Sequence, residues 1–308
     1  MIFKKIKTKS DVEKWLISMS ISNYIIHEDL SVDVKGHVFI NNKKLKEIPI
    51  QFNKVEGVFD CSYNKLKSLK GVPSIVGSRF KCSYNKLSSL KFSPEVINGD
   101  YDCSHNELNS LEFCPHTIVK MFDASNNKIK DLLYFPRNIG TDIFLQFNLI
   151  EKLENLPKQI KGVLDLHNNH IVNMAGLPQY VSGFVNLSNN KISNFDNNSL
   201  IEATKLQMVE NPLSNILNFN IDLKEFIFFD LTHLDSFTQE FIKNYNSNNF
   251  QTINNIKDNK SIKTTEGVVL IYQETMNLLV NELNIIKNNN RLLSSLESKQ
   301  NTVKTKKI

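Results

Sequence analysis

Three cysteines recur at a fixed interval of 21 residues, because Cys61, Cys82 and Cys103 each stand three residues ahead of an asparagine. Thiols in register could ligate a metal or take part in redox chemistry, since the thiolate is both a ligand and a nucleophile. A zinc site needs four ligands that converge on a tetrahedron. The nearby candidates do not supply them: His105 is predicted to point away from the cysteine column, and Cys114 lies outside the register. We therefore predict no metal site and no cofactor.

The interval of 21 residues extends well beyond the cysteines, because eight asparagines share it. These are Asn64, Asn85, Asn106, Asn127, Asn148, Asn169, Asn190 and Asn211. Counted from each of them, position +2 is Leu or Ile, position +5 is apolar and position −5 is aromatic or aliphatic. Position +9 is proline in the first six repeats. A fixed period of this length predicts a solenoid, in which each repeat forms one coil and packs only against its neighbours.

Each part of the repeat has a physical reason. Positions −5 and −3 alternate as the inward residues of a short strand do. The chain must then turn, and an asparagine side chain can satisfy backbone groups of neighbouring coils because it carries both an acceptor and a donor. These eight residues are therefore predicted to form a structural ladder. The cysteine position, −3, becomes apolar in the later repeats: Ala124, Leu145, Leu166, Leu187 and Met208. That column predicts that the cysteines are core residues.

The segments LDLHNNHIVNMAGLP (164–178) and VNLSNNKISNF (185–195) carry the pattern most completely. They resemble the leucine-rich repeat, in the short 21-residue form found in bacterial secreted effectors and in proteins of bacteriophages and large DNA viruses. The resemblance covers residues 36–217. It implies an α+β solenoid that is curved, with parallel strands on the concave face, an extended or 3₁₀ convex side and helical caps. The early repeats depart from the family pattern, because aromatics replace leucine at −5 and cysteine replaces it at −3.

Four segments are predicted along the chain. Residues 1–35 form an N-terminal cap, with short strands and a helix over SDVEKWLISM (10–19) that begins at a Ser10–Glu13 capping box. Residues 36–237 form the repeat solenoid, including a degenerate coil at each end. A capping helix and a polar linker follow in residues 238–266, and a helix with a basic tail in residues 267–308.

The apolar residues of the segment 267–298 recur at intervals of seven, so the pattern predicts a helix from Gly267 onward. This helix can pack within the chain or pair with a second copy, and the sequence leaves both possibilities open. Self-association through 267–298 is therefore one prediction. A structural role in a virion or assembly, docked through this helix, is the alternative to a recognition function.

Composition and motifs exclude several function classes. The formal charge of +5 comes from lysines near the two ends, so the body of the chain is slightly acidic. With only three arginines, the usual bidentate readers of bases, nucleic acid is not an expected partner. No apolar run is long enough to span a membrane, and no signal peptide is visible. We expect no membrane partner and a cytoplasmic location, in a bacterium or an infected host cell, with virion association as an alternative.

An enzyme is not expected either. The chain has no glycine-rich phosphate loop and neither of the hydrolase motifs HExxH and GxSxG. Leucine-rich effectors that act as ubiquitin ligases carry a catalytic cysteine after the repeats, whereas no cysteine follows Cys114 here. An enzyme subunit remains as a third alternative.

The remaining candidate is the surface of the repeats. Positions −6, −4, −2 and −1 are predicted to line the concave face. The candidate partner-binding residues are Asp60, Tyr63, Arg79, Lys81, Tyr84, Asp100, Asp102, Asp123, Asp142, Phe144, Phe147, Asp165 and Phe184. Acids with exposed aromatics among them predict a protein partner with a basic patch, although solubility alone also explains surface charge. Past each strand, a basic ridge is formed by Lys65, Lys86, Lys128 and Lys191. The leading prediction is non-catalytic protein recognition, with a host factor as the target of a phage, viral or bacterial protein.

Overall fold

Each 21-residue repeat makes one coil in the computed structural model, which describes residues 6–248, 263–265 and 268–305. The strand at positions −5 and −4 joins a long sheet, and a second strand on the opposite side of the coil joins a short sheet. Neighbouring strands of consecutive repeats are parallel, with partners 21 residues apart such as Phe59 and Phe80. The chain therefore rises by one strand spacing per repeat, about 4.8 Å.

In chain order the elements are α1 (Lys9–Ser18), β1 (Tyr24–Ile26), β2 (Val32–Val34), β3 (Val38–Phe39), β4 (Phe52–Val55), β5 (Phe59–Asp60), β6 (Ile75–Val76), β7 (Phe80–Lys81), β8 (Val96–Ile97), β9 (Tyr101–Asp102), β10 (Thr117–Ile118), β11 (Phe122–Asp123), β12 (Asn138–Ile139), β13 (Ile143–Phe144), β14 (Gln159–Ile160), β15 (Leu164–Asp165), β16 (Tyr180–Asn186), β17 (Glu202–Met208), β18 (Asp222–Asp230), α2 (Ser236–Asn248), β19 (Lys263–Thr265), β20 (Val268–Tyr272) and α3 (Gln273–Thr305). The short sheet has the order β1-β2-β4-β6-β8-β10-β12, and the long sheet runs from β3 to β18 and ends with β20 and β19. From β16 onward one strand of 7–9 residues takes the place of the two short strands of each earlier coil, so β14 and β15 both pair with β16.

The aromatic residues that replace leucine at −5 form a continuous column in the core. Phe59, Phe80, Tyr101 and Phe122 are fully buried, and successive ring centroids lie 5.4–5.9 Å apart. Such pairs add roughly 0.5–1.5 kcal/mol beyond the area that they bury. Aromatic side chains at this position therefore fill the coil interior that leucine fills in the later repeats.

The ladder asparagines join each coil to the coil before it. The side-chain oxygen of Asn127 accepts a hydrogen bond from Leu108 N at 3.0 Å, and its amide nitrogen donates to Cys103 O at 3.2 Å and Ala124 O at 3.1 Å. The same three contacts, at 2.8–3.1 Å, recur at Asn64, Asn85, Asn106, Asn148, Asn169, Asn190 and Asn211. One side chain thus satisfies three backbone groups that the turn leaves without sheet partners.

The N-terminal helix begins two residues earlier than predicted. The cap is Thr8, whose hydroxyl accepts a hydrogen bond from Asp11 N at 3.2 Å, while Asp11 Oδ2 accepts one from Thr8 N at 3.0 Å. The Ser10–Glu13 prediction was wrong because Thr8 and Asp11 have the same spacing, and only their geometry closes the reciprocal pair. On the inner side of the helix, Trp15 packs 6.2 Å from Phe52 and covers the first coil.

The C-terminal segment contains a strand that the sequence pattern did not predict. Val268–Tyr272, where a helix was expected from Gly267, instead pairs antiparallel with β18. The apolar run VVLIY has no periodicity that separates a buried strand from a helix. Because β18 would otherwise be an exposed edge, the added strand satisfies its backbone groups.

Helix α3 turns back onto the last coil. Its buried side chains are Met276, Leu279, Val280 and Leu283. At its start, Gln273 Nε2 donates to Ile221 O at 2.9 Å. Of the two possibilities that the sequence left open, this part of the helix therefore shows packing within the chain. On its outer side, Leu278 and Ile285 are more than half exposed.

The predicted fold class, a leucine-rich repeat solenoid with parallel strands, an extended second side and helices at both ends, is confirmed by this architecture. Among the described residues, no helix is both long and apolar enough to cross a membrane.

Removal of one ladder side chain should destabilise the protein strongly. In an Asn127→Ala variant the buried Leu108 N loses its side-chain acceptor, which costs roughly 1–3 kcal/mol. Cys103 O and Ala124 O each lose one of two donors, because Asn106 and Asn148 still donate to them. Each lost bond adds roughly 0.5–1.5 kcal/mol, so we expect the free energy of unfolding, measured with urea, to fall by at least about 2 kcal/mol. The matched control Asn109→Ala changes an exposed asparagine of the preceding coil and should stay within about 0.5 kcal/mol of the parent. Equal losses in the two variants would contradict the ladder's role.

Candidate functional site

The three cysteines that recur every 21 residues lie in the core. Cys61, Cys82 and Cys103 are fully buried, and this burial raises the pKa of each thiol well above its ordinary value. A thiol held neutral is neither a good ligand nor a nucleophile. In the part of the chain that the structure describes, no cluster of His, Cys, Asp or Glu side chains is arranged to hold a metal ion. The candidate site is therefore the outer face of the long sheet.

The acids at position −4 lie on this face and also cap the turn that follows them. Asp60 Oδ1 accepts hydrogen bonds from Ser62 N at 2.9 Å and from Ser62 Oγ at 2.5 Å. Asp102 receives the same pair of bonds from Ser104, at 3.1 and 2.7 Å. Each carboxylate remains half-exposed. These acids thus combine a structural role with a place on the surface.

The prediction that position −2 lines the face was wrong in the first four repeats, which carry serine there. Ser62, Ser83, Ser104 and Ser125 are buried. The hydroxyls or backbone amides of these serines donate hydrogen bonds to neighbouring carboxylates, and the serine side chains lie beneath the surface of the face. Ser83 Oγ, for example, lies 2.9 Å from Asp102 Oδ2, and Ser125 N donates to Asp123.

Two further candidates at position −6 pair with each other. Arg79 and Asp100, on adjacent coils, form an ion pair at 2.7 Å in which the carboxylate is mostly buried and the guanidinium is half-exposed. Asp142, also at −6, accepts a hydrogen bond from Val163 N at 2.8 Å. Lys81 lies between Asp60 and Asp102 in the strand register.

Position −1 adopts a left-handed backbone in nine successive coils. The residues there are Asn42, Tyr63, Tyr84, His105, Asn126, Phe147, Asn168, Asn189 and Glu210, with φ between 51° and 58°. Asparagine tolerates this conformation, whereas it costs a tyrosine or phenylalanine roughly 1–2 kcal/mol. The turn before each ladder asparagine imposes the conformation, so aromatic residues at this position are strained.

The first aromatic residues of this column stack on one another. The rings of Tyr63 and Tyr84 lie 4.3 Å apart at 9°, and those of Tyr84 and His105 lie 3.9 Å apart at 13°. Tyr63 is 55% exposed and Tyr84 is 41% exposed. Desolvation within the stack, together with the neighbouring Tyr63, raises the pKa of Tyr84. We call Tyr63, Tyr84 and His105 the aromatic stack.

A second aromatic group lies three coils further along. The rings of Phe147 and His167 meet edge to face at 4.8 Å, and His167 Nδ1 lies 2.6 Å from Asp165 Oδ1. Phe144, half-buried at −4, is the strand partner of Asp165. Phe184 stands at −6 two coils beyond Phe144 and is also half-buried.

Two members of these groups, His105 and His167, are not among the candidate residues predicted from the sequence. His105 occupies the same repeat position as Tyr63 and Tyr84, so the repeat alignment carried the signal for it. His167 stands at −2, where its contact with Phe147 follows from the stacking of coils and could not be read from its own position.

Comparisons with known proteins add the following findings. No protein-family model matches the chain, and no curated protein matches it. Among solved structures the chain is similar to YopM from Yersinia enterocolitica WA-314, with 18% sequence identity and a TM-score of 0.47. The match covers 74% of this chain and 56% of that chain, so this protein spans little more than half the length of YopM. The fold assignment rests on the repeat geometry described above.

The face should also give the protein a measurable pH dependence through Asp123. Burial raises the pKa of this carboxyl above its usual value of 3.8, and neighbouring Asp102 adds to the rise against the hydrogen bonds from Ser125. The folded state therefore binds the proton more tightly than the unfolded chain does. Protonation of Asp123 therefore stabilises the folded state. This contribution is fully present below pH 3.8 and is lost as the pH rises through the folded-state pKa.

An Asp123→Asn variant should therefore unfold at higher urea than the parent at pH 7, and the difference should shrink toward pH 4. Asparagine can accept the same bond, as Asn186 does from Ser188 N at 3.1 Å. The control Glu154→Gln, at an exposed acid, should show a small difference that does not vary with pH. A less stable Asp123→Asn variant at pH 7 would count against the assignment.

Proposed function

We propose that the outer face of the long sheet binds a protein partner that carries basic side chains. The aromatic stack is the observation that carries the proposal, because its two tyrosines are exposed and strained at once. Strained residues that persist in a fold cluster at functional sites. The stacked coils supply the extended surface on which repeat proteins hold their partners.

The coil itself does not require a ring at position −1. Four other coils place asparagine there with the same φ: Asn42, Asn126, Asn168 and Asn189. Stacking within the protein returns roughly 0.5–1.5 kcal/mol per ring pair, which only about balances the backbone cost. Burial of the ring edges against a partner would add stabilisation, since tyrosine is enriched among residues that dominate binding energy.

The charges beside the stack favour a basic partner. Asp102 and Asp123 are register neighbours on adjacent strands, and both residues are half-buried on the same face as the rings. A lysine or arginine that lies against the tyrosines would meet both the ring faces and these carboxylates. Such complementarity raises the association rate and the specificity more than the affinity.

Phe144 and Phe147 provide a second anchor. They lie three coils beyond Tyr84, which is about 14 Å at one strand spacing per coil. Two anchors at this separation, with acids between them, match a partner segment of several residues. The sequence resemblance to bacterial-effector, bacteriophage and viral repeats further supports the proposal that this partner is a host protein.

The test is a double variant, Tyr63→Asn/Tyr84→Asn, which removes both rings and leaves a residue suited to the left-handed backbone. Its urea midpoint should stay close to that of the parent, because lost stacking and relieved strain offset each other. Capture of partner proteins from a lysate of the native host, measured by quantitative mass spectrometry, should fall at least about tenfold.

The matched control is Ile75→Asn/Val96→Asn, which changes two exposed residues of the short sheet in the same part of the solenoid. It should retain the parental set of captured proteins. A folded double-tyrosine variant that captures the same proteins at the same yield would overturn the proposal.

A further inference from the structure

A second surface lies on the side of the coils, separate from the sheet face. We use the name flank for the segment from each ladder position to the residue seven positions later. Positions +2 and +5 of this segment point into the core, as Leu66 and Leu69 do. The side chains at +1, +3, +6 and +7 therefore face outward between the two sheets.

The flanks of the first three coils are densely basic. Their exposed lysines are Lys43, Lys44, Lys46, Lys65, Lys67, Lys70, Lys86 and Lys91. The acid within these three flanks is Glu47. Within the described part of the chain, none of these ammonium groups has an ion-pair partner. By contrast, Lys128 on a later flank lies 3.8 Å from Glu107.

These lysines repeat in columns. Lys44, Lys65 and Lys86 share position +1, and successive coils are separated by about 4.8 Å. Like charges on directly opposed neighbouring residues repel one another. The fold therefore carries an unfavourable interaction on these coils that a multivalent anion would relieve.

An exposed apolar stripe begins where the basic columns end. Its residues are Phe92, Phe113, Leu133 and Tyr134, which are 50–62% exposed. They stand at positions +6 and +7 of three consecutive coils. The ammonium group of Lys91 lies 5.5 Å from the ring centroid of Phe92, so the basic columns and the stripe meet directly.

The stripe contains residues with a strained backbone, as the aromatic stack does. Phe92 and Phe113 have φ of 72° and 68°. Other coils fill the same position, +7, with residues that tolerate the left-handed region: Gly71, Asn155, Gly176 and Asn197. Two half-exposed phenylalanines at this position therefore cost backbone energy that asparagine or glycine would not.

We propose that this flank docks on an anionic lipid surface. Lysines arranged with exposed Phe, Leu and Tyr side chains form the combination that binds the interface of a charged bilayer. The presence of aliphatic Leu133 and the absence of arginine from these flanks favour lipid over nucleic acid. The sequence alone predicts no membrane partner because it has no long apolar run, whereas this surface is assembled from separate coils.

The experiment is flotation with two sets of vesicles, pure phosphatidylcholine and phosphatidylcholine with about 30% phosphatidylserine. The full chain should bind the second set more tightly, and high salt should weaken binding. A Lys65→Gln/Lys67→Gln/Lys86→Gln variant should bind the anionic vesicles about 100-fold more weakly, since each lysine near the surface contributes about fivefold. The charge-matched control Lys152→Gln/Lys158→Gln/Lys191→Gln, at exposed lysines of coils beyond the stripe, should lose much less.

A second variant, Phe92→Asn/Phe113→Asn, tests the stripe without endangering the fold. Its urea midpoint should rise, because asparagine relieves the left-handed strain. Its binding to anionic vesicles should fall at least about tenfold, since the buried aromatic surface is lost. Two results together would overturn the proposal: this variant binds vesicles as well as the parent does, and the parent binds a single-stranded oligonucleotide equally well. They would show that the flank binds polyanions in general and not a lipid surface.

Equal binding of the parent to neutral and anionic vesicles, or binding to neither, would also overturn it. The Tyr63→Asn/Tyr84→Asn variant should bind vesicles as the parent does. That result keeps the outcome for the flank independent of the outcome for the sheet face.

Discussion

The hydrogen bonds of the ladder asparagines are the constraint on which the rest of the structure depends. Each amide satisfies backbone groups of two successive coils, for example Leu108 N and Ala124 O at Asn127. A turn with these groups buried and unpaired would cost several kcal/mol per coil. The residue before each asparagine is held in the left-handed region, and the coil closes after 21 residues. This turn fixes where the residues at every other repeat position of the solenoid lie.

Two surfaces follow from that geometry, because the fold has left-handed positions at −1 and +7 of its coils. Asparagine fills the first position in four of nine coils, and asparagine or glycine fills the second in four of six. Tyr63 and Tyr84 instead occupy the first position, and Phe92 and Phe113 the second. The acids near the tyrosines and the lysines near the phenylalanines give the two surfaces opposite charge. One chain can thus present a face suited to a basic protein and a flank suited to an anionic interface.

The sequence predicts the repeat, the ladder and the inward columns, because these obey one hydrogen-bonding rule at one period. Prediction from the sequence fails where a local pattern fits two structures equally well. Thr8 and Ser10 both begin capping patterns, and the run VVLIY fits a strand and a helix equally. Burial of Ser62 and its sisters depends on bonds to neighbouring carboxylates, which a column alignment does not show. The ring contact of His167 with Phe147 arises from coil stacking and has no signature at its own position.

Hydrogen exchange measured residue by residue tests the ladder most directly. The amides at this position that donate to the eight ladder oxygens are those of Leu45, Leu66, Leu87, Leu108, Ile129, Ile150, Ile171 and Ile192. If the ladder holds the coils together, these amides should exchange only through global unfolding, with protection within about 1 kcal/mol of the free energy of unfolding. Exchange as fast as that of exposed flank residues such as Lys67 would show that the turns open locally, and would contradict the account.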